Sequence, residues 1–297
     1  MILVTGASGA IGSKLVERLL LEHERPVVAG RRPEALHARF PGLEARELDA
    51  LRPETIPAVL EGIRTLYYFI HSMEPGTTGF DERDRAAALN VARLAREGGV
   101  ERVVYLGGLG EETEDLSRHL SSRHETGRVL ADEGPPVVEL RAAMVVGSGS
   151  ASFRMLSDLV HRLPAMVVPR WVETPSQPIA IADVVSYLAA ARSLPLAEHH
   201  TVIEIGGADV LTYREMLEVF ARIEGRRRMV IGVPLLTPRL SSLWCGLTTS
   251  VSVSVARPLI MGMTHETVVR GDEARRRFPD IEPVGFETAV RRALEGE

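Results

Sequence analysis

The chain has 297 residues, 45% of them hydrophobic and 25% charged, and a chain of this size buries about three quarters of its unfolded surface without cross-links. Its one cysteine, Cys245, excludes an intrachain disulfide and a cysteine zinc cluster. A formal net charge of -5 argues against broad binding to a nucleic-acid backbone, so the basic runs 226–228 and 275–277 read as solvated faces.

Residues 2–4 are apolar and β-type, and glycines follow at Gly6, Gly9 and Gly12. Ile11, Leu15, Leu19 and Leu20 then recur at helical spacing. This is a strand, a phosphate-binding turn and a helix. Gly6 allows the tight turn, Gly9 lets backbone approach a pyrophosphate, and Gly12 allows close packing of helix on strand. The free N–H groups at the helix start face the anion. The N-terminal apolar run is too short for a secretory signal, so a cytoplasmic location is expected.

Residues 26–29 supply a second strand ending at Gly30, Arg31 and Arg32. An NAD-specific fold places a carboxylate there to hold the adenosine ribose. Two guanidiniums instead suit a 2'-phosphate through charge-assisted bonds worth roughly 1.5–3 kcal/mol each. NADP(H) is therefore the preferred cofactor, with NAD(H) the alternative. A third strand over 43–48 leads to Asp49 and Ala50; Asp49 is placed to accept from an adenine amine, or is an exposed loop aspartate. A fourth strand over 65–70 is expected to place Phe69, Ile70, His71 and Ser72 beside the cofactor, where ligands of parallel sheets bind. His71 is read either as a reaction-site residue or as a structural hydrogen-bonding histidine.

Residues 81–96 form a helix with Ala87, Ala88, Val91, Ala92 and Ala95 on one side. Strands over 102–106 and 136–140 flank a second helix over 116–132. The alternation predicts an α/β class, a Rossmann doubly wound parallel sheet. Arg141 ends a buried strand and calls for an ion-pair partner. Ser150 caps a helix after the glycine- and serine-rich loop 147–150.

Beyond Arg141 the pattern is punctuated by Pro164, Pro169, Pro175 and Pro178 around Trp171, before residues 179–191 and 202–205 return to the core. The expected organisation is a dinucleotide-binding core over 1–150 plus 178–206, and a smaller substrate lobe over 151–177 and 207–297. Residues 243–263 are apolar but carry Arg257 and Pro258, so a buried helical hairpin is expected rather than a membrane span. Trp171, Met144, Phe153 and Trp244 would line an apolar pocket. P-loop, HExxH and GxSxG motifs are absent, and the adjacent His199 and His200 make no metal site.

The glycine spacing, Arg31 and Arg32, Asp49, Asn90 and the stretch ERVVYLGGLG resemble the extended and atypical short-chain dehydrogenase/reductase superfamily, within it the NmrA-like, NAD(P)H-binding branch. LRAAMVVGSGS from Leu140 resembles that group's sixth-strand segment beside nicotinamide, and PIAIADVV from Pro178 its return to the core. The resemblance implies cofactor contacts from Thr5, Gly6, Ser8, Gly9, Ala10, Ile11, Gly12, Arg31, Arg32, Asp49, Ala50, Ile70, His71, Gly107, Arg123, Ala142 and Met144.

The superfamily's reaction uses a tyrosine and a lysine four residues later. Lys14, in the first helix, is the sole lysine, so this chain does not build that dyad. His119 falls at the tyrosine position and Arg123 at the lysine position. Either they form a modified acid/base pair, with a histidine of pKa near 6.5, or they are exposed residues of a helix start. Ser121 and Ser122 would bond a substrate or cap that helix.

The leading expectation is an NADP(H)-dependent oxidoreductase acting on a small organic substrate, with His119, Arg123 and His71 as catalytic candidates and no metal. The alternative is a non-catalytic dinucleotide sensor, regulator or assembly factor with a protein partner. Nucleotide-sugar epimerase or dehydratase activity ranks last because it depends on the missing dyad. No nucleic acid or transmembrane segment is implied, and homodimerisation through the long helices rests on fold analogy.

Overall fold

The computed structural model describes residues 1–71, 79–111, 116–162, 165–168, 170–226, 229–232 and 249–296. Ser72, Pro164, Pro169, Arg227, Arg228, Trp244, Cys245 and the first part of the expected 243–263 hairpin lie outside the described residues, as does the side chain of Trp171.

The first strands are β1 (Ile2–Thr5), β2 (Val27–Gly30), β3 (Ala45–Glu47) and β4 (Thr65–Tyr68). They are joined by α1 (Ala10–Leu21), α2 (Pro33–Arg39) and α3 (Ile56–Leu60). After α4 (Phe80–Glu97) come β5 (Arg102–Gly108), α5 (Arg118–Glu133) and β6 (Val137–Ala142). The last strand of the sheet is β7 (His200–Ile205), and the order is β7-β6-β5-β4-β1-β2-β3, every pairing parallel. The order reverses between β1 and β4, which places the binding crevice at their carboxyl ends.

Side chains alternate across the sheet as the strand pleat dictates. Val4, Val28, Tyr67, Val104 and Val138 face one apolar layer, filled by α1 and by α7 (Ile181–Ala191). Leu3, Ala29, Leu66, Tyr68, Tyr105 and Val137 face the other, filled by α3, α4 and α5. Each large side chain so buried contributes about 1.5–3 kcal/mol. β4 ends at Tyr68, two residues short of expectation, because the Phe69 N–H bonds to Thr5 Oγ1 at 3.0 Å instead of continuing a ladder.

A third apolar cluster joins α6 (Ala151–Arg162), α8 (Tyr213–Ile223), the helix Val253–Gly262 and the C-terminal helix Phe286–Glu295. Within 179–191, the short strand Ile179–Ala180 pairs with Val145–Val146 outside the main sheet, while α7 packs back onto α1. No described helix is long and apolar enough to cross a membrane.

Candidate active site

The turn after β1 is held by its own backbone. Thr5, fully buried, donates from Oγ1 to Tyr67 O at 2.9 Å, tying β1 to β4. Gly6 has φ +63°, and a Cβ there would lie 2.6 Å from Phe69 O. A Cβ on Gly12 would lie 2.4 Å from Gly6 O, so Gly12 is required by the turn itself rather than by the strand. At Gly9 a Cβ would meet only Gly6 O, at 3.2 Å. Gly9 caps α1 without a side-chain bond, which leaves the first N–H groups of the helix without intrahelical partners.

Two cavities open from this turn and share Gly6, Gly9, Phe69 and His71. One, of about 340 Å³, runs over β2 and β3, with Ser8, Arg31, Asp49, Ala50 and Ile70 on its walls and Arg83 and Ala87 added from α4. The other, of about 420 Å³, runs over β5 and β6, with Ala10, Ile11, Gly12, Gly107, His119, Arg123, Ala142 and Met144 on its walls. Thr5 and Arg32 line neither. Asp49 Oδ1 accepts the Leu51 N–H at 3.1 Å, so one oxygen shapes its own loop. Asn90 donates to Ala50 O at 2.9 Å and anchors that wall to α4.

The polar centre of the larger cavity is a histidine pair. His71 and His119 have ring centroids 5.5 Å apart. His71 Nδ1 is hydrogen-bonded to Asp84 Oδ2, from the first turns of α4, where Asp84 is 3% exposed. His71 Nε2 and His119 Nδ1 are buried with no hydrogen-bond partner among the described residues. Burial lowers the His71 pKa; the Asp84 bond and charge oppose this, while Arg123 adds to it. His119 is pushed down to about 3 by burial and by repulsion from His71 and Arg123, against the pull of Asp84. Both rings are therefore neutral at pH 7, in contrast to the value near 6.5 expected for His119.

Arg123 is folded back on the sheet. Its guanidinium donates to Leu106 O and stacks 4.9 Å from the Tyr105 ring centroid. Tyr105 Oη in turn donates to Arg123 O at 3.0 Å, and burial raises its pKa well beyond the usual phenol range. Tyr213 reaches the cavity wall, but its hydroxyl is held by Ser176 and Thr267. Lys14, on α1, pairs with Glu17 at 3.5 Å. The cap of α5 is Ser117, whose side chain accepts the Leu120 N–H, rather than Ser121 or Ser122. Beneath Gly107, Glu139 is fully buried between Arg141 and His200, each at 2.8 Å. This is the ion-pair partner that Arg141 called for.

Asp84 and the cavity residues Leu109, Leu120, Tyr213, Leu259, Met263 and Thr267 are not among the site residues that the sequence singles out. Asp84 carries a readable signal, since it lies three, four and seven residues before Ala87, Ala88 and Val91. A carboxylate on an apolar stripe demands a buried partner.

Residues 6–136 match the family described as NAD(P)H-binding, and the parallel sheet with its glycine turn has the matching architecture. The family match and the sheet order support the resemblance to the atypical short-chain dehydrogenase/reductase superfamily. It is similar to NADH dehydrogenase [ubiquinone] 1 alpha subcomplex subunit 9, mitochondrial, of Arabidopsis thaliana, at 24% identity over 73% of this chain but only 56% of that protein. It is also similar to ceramide reductase of Caulobacter vibrioides, at 23% identity over 85% of this chain and 81% of that one. Among solved structures, triphenylmethane reductase of Citrobacter sp., complexed with NADP(H), superposes with a TM-score of 0.75 at 17% identity, covering 99% of each chain. The chain thus has an NAD(P)H-binding oxidoreductase-like fold with a nicotinamide dinucleotide as cofactor.

Proposed function

We propose that the protein is an NADP(H)-dependent oxidoreductase that interconverts a small, neutral, mainly apolar carbonyl compound and its alcohol without a tyrosine–lysine dyad. The observation that carries this reading is the meeting of the two cavities at the glycine turn and His71, which makes one groove with a basic end and a histidine-lined end. The residues fit the cofactor. The uncapped start of α1 suits a pyrophosphate, Arg31 suits a 2'-phosphate, and Gly107, Ala142, Met144 and Arg123 would hold the nicotinamide half. Once bound, the nicotinamide supplies or accepts a hydride.

The chain's own part is to orient substrate and to handle one proton. Phe69, Leu109, Leu120, Met144, Leu259 and Met263 give the larger cavity apolar walls, and Arg123 is its one cation among the described residues. With that guanidinium tied to Leu106 O, the cavity is poorly equipped for a diphosphate-bearing substrate. His71 and His119 are its titratable groups suited to proton transfer. The segments 151–177 and 207–297 would close the substrate side, a division supported by their shared apolar cluster. The reductase names of the ceramide and triphenylmethane relatives support the reading.

The test is a thermal melt with NADPH, NADP, NADH and NAD, followed by a carbonyl panel under the best-binding nucleotide. Preferential stabilisation by NADP(H) and NADPH consumption with one or more carbonyls is the expected result; no stabilisation by any of the four refutes it. A second reading, a non-catalytic dinucleotide sensor or assembly factor, is favoured by one observation: the sole lysine is bound to Glu17 on the first helix. The subunit name of the Arabidopsis relative supports it as well. Binding of NADP(H) without turnover of any carbonyl would select it.

A further inference from the structure

We infer that Asp84, His71 and His119 form an ordered receptor for a substrate hydroxyl, in which Asp84 positions His71, His71 Nε2 takes the hydroxyl proton, and His119 donates to the hydroxyl oxygen. The inference deepens the oxidoreductase reading and rests on it.

The order follows from which atoms are engaged. A carboxylate accepts hydrogen bonds, so the Asp84 oxygen beside Nδ1 places the ring proton of His71 on that nitrogen. Nε2 is left with a lone pair, buried and without a partner among the described residues. His119, also neutral, presents Nδ1 as a second unpartnered buried atom, on a ring 5.5 Å from that of His71. Both rings line the same cavity, and two buried polar atoms there without partners are costly unless a ligand satisfies them. An alcohol does so with one oxygen, donating its O–H to His71 Nε2 and accepting N–H from His119 Nδ1. A carbonyl satisfies only His119.

The arrangement gives His119, at the position where the resembled superfamily has its tyrosine, a second imidazole in His71 to share the proton transfer. A neutral His71 is ready to receive a proton, and Asp84 stabilises the imidazolium that results. The alcohol's O–H proton moves to His71 Nε2, the carbon's hydride leaves for an oxidised nicotinamide dinucleotide, and the C–O bond becomes C=O. The imidazolium then gives its proton to water. Carbonyl reduction retraces the same path. Asp84 touches only His71 in this scheme and is a positioning residue. Phe80, edge-on to His71 at 6.5 Å, and Arg118 over Phe80 at 5.8 Å close the outer side of the ring.

The experiment is 15N NMR of the histidine side chains in the full chain loaded with NADP, with 1-phenylethanol and its O-methyl ether as probes. His71 is expected as the Nδ1–H tautomer at pH 7, and Asp84→Asn should convert it to a mixture of tautomers, because an amide can donate or accept. Millimolar 1-phenylethanol should shift the His71 Nε2 resonance, whereas the ether, which has no proton to donate, should not. An Nε2–H tautomer in the wild type overturns the inference, as does a shift with both probes or with neither. If Asp84→Asn does not fold, the wild-type tautomer and the two probes still decide. Loss of the cofactor reading would show separately, as the absence of any melt shift with NADP.

Discussion

His71 and His119 come from elements 48 residues apart in sequence, yet their rings stand 5.5 Å apart at an interplanar angle of 41°. His71 lies just past the end of β4 and His119 in the first turn of α5, so the parallel order of β4 and β5 brings the two together. Arg123, one turn further along α5, adds a positive charge that disfavours protonation of both neutral rings, and Asp84 opposes it. This charge balance, more than the identity of the residues, sets what the pair can do.

His119 therefore couples folding to pH. Its pKa is about 3 when folded and near 6.5 when unfolded, so below pH 6.5 the unfolded chain binds the extra proton and stability falls as pH falls toward 3. The slope from this one group approaches roughly 1.4 kcal/mol per pH unit inside that window. In urea denaturation from pH 7 to pH 4.5, His119→Gln is expected to flatten the decline relative to wild type. The buried carboxylate Glu139 contributes loss on acidification in both proteins, so the difference between them is the quantity to read. Parallel curves would show that His119 protonates freely in the folded chain.

Gly9 and Gly12 separate binding from folding. Gly12→Ala drives a Cβ to 2.4 Å from the Gly6 carbonyl oxygen, a backbone atom that cannot swing away, and should cost about 1–3 kcal/mol of stability. Gly9→Ala asks the same oxygen to yield only a few tenths of an ångström from 3.2 Å, so it should fold within about 1 kcal/mol of wild type. Its new methyl stands where backbone would approach a pyrophosphate, so NADPH affinity should fall by an order of magnitude or more. Chemical denaturation and NADPH fluorescence titration of the two variants check both halves.

The fold was legible in the sequence because its signals are local. Each strand is a short apolar run, each helix has a stripe, and Gly6, Gly9 and Gly12 punctuate the first turn. The doubly wound order follows once crossovers are right-handed. Ends were less legible, since Thr5 Oγ1 takes the Phe69 N–H and stops β4 early. At the site, spacing placed His119 and Arg123 by position, but not their charge state, which depends on burial and on His71 across the cavity. Asp84 was hidden because its role appears only when α4 is laid against the end of β4. The far wall, with Leu259, Met263 and Thr267, comes from residues more than a hundred positions beyond the β6 segment, and no local pattern ties it to the site.

Gly127 offers a test of the buried polar layer beneath the site. In a helix interior, glycine to alanine normally gains about 1 kcal/mol. Here a Cβ would lie 2.2 Å from Glu139 Oε2 and 2.7 Å from its Cδ. Glu139 cannot retreat, because Arg141 and His200 each hold it at 2.8 Å and the residue is fully buried. Gly127→Ala should therefore reverse the usual sign and destabilise by roughly 1–3 kcal/mol. A neutral or stabilising result in urea denaturation would mean that Glu139 has room to move.

The two arginines after β2 are not equivalent, and this gives the most direct test of cofactor preference. Arg31 lines the smaller cavity beside Asp49 and Ala50, whereas Arg32, the adjoining exposed residue, only opens α2. One charge-assisted bond to a 2'-phosphate is worth roughly 1.5–3 kcal/mol, about 10- to 100-fold in affinity. Arg31→Asp should weaken NADPH binding by that factor while leaving NADH little changed, because NADH has no 2'-phosphate to repel. Arg32→Asp should weaken NADPH only severalfold, through a screened field. Titration at two salt concentrations separates the cases: the Arg32 effect should fade as salt rises, and the Arg31 effect should persist. Equal losses for both variants that vanish together in salt would make the pair a diffuse basic turn rather than a phosphate site.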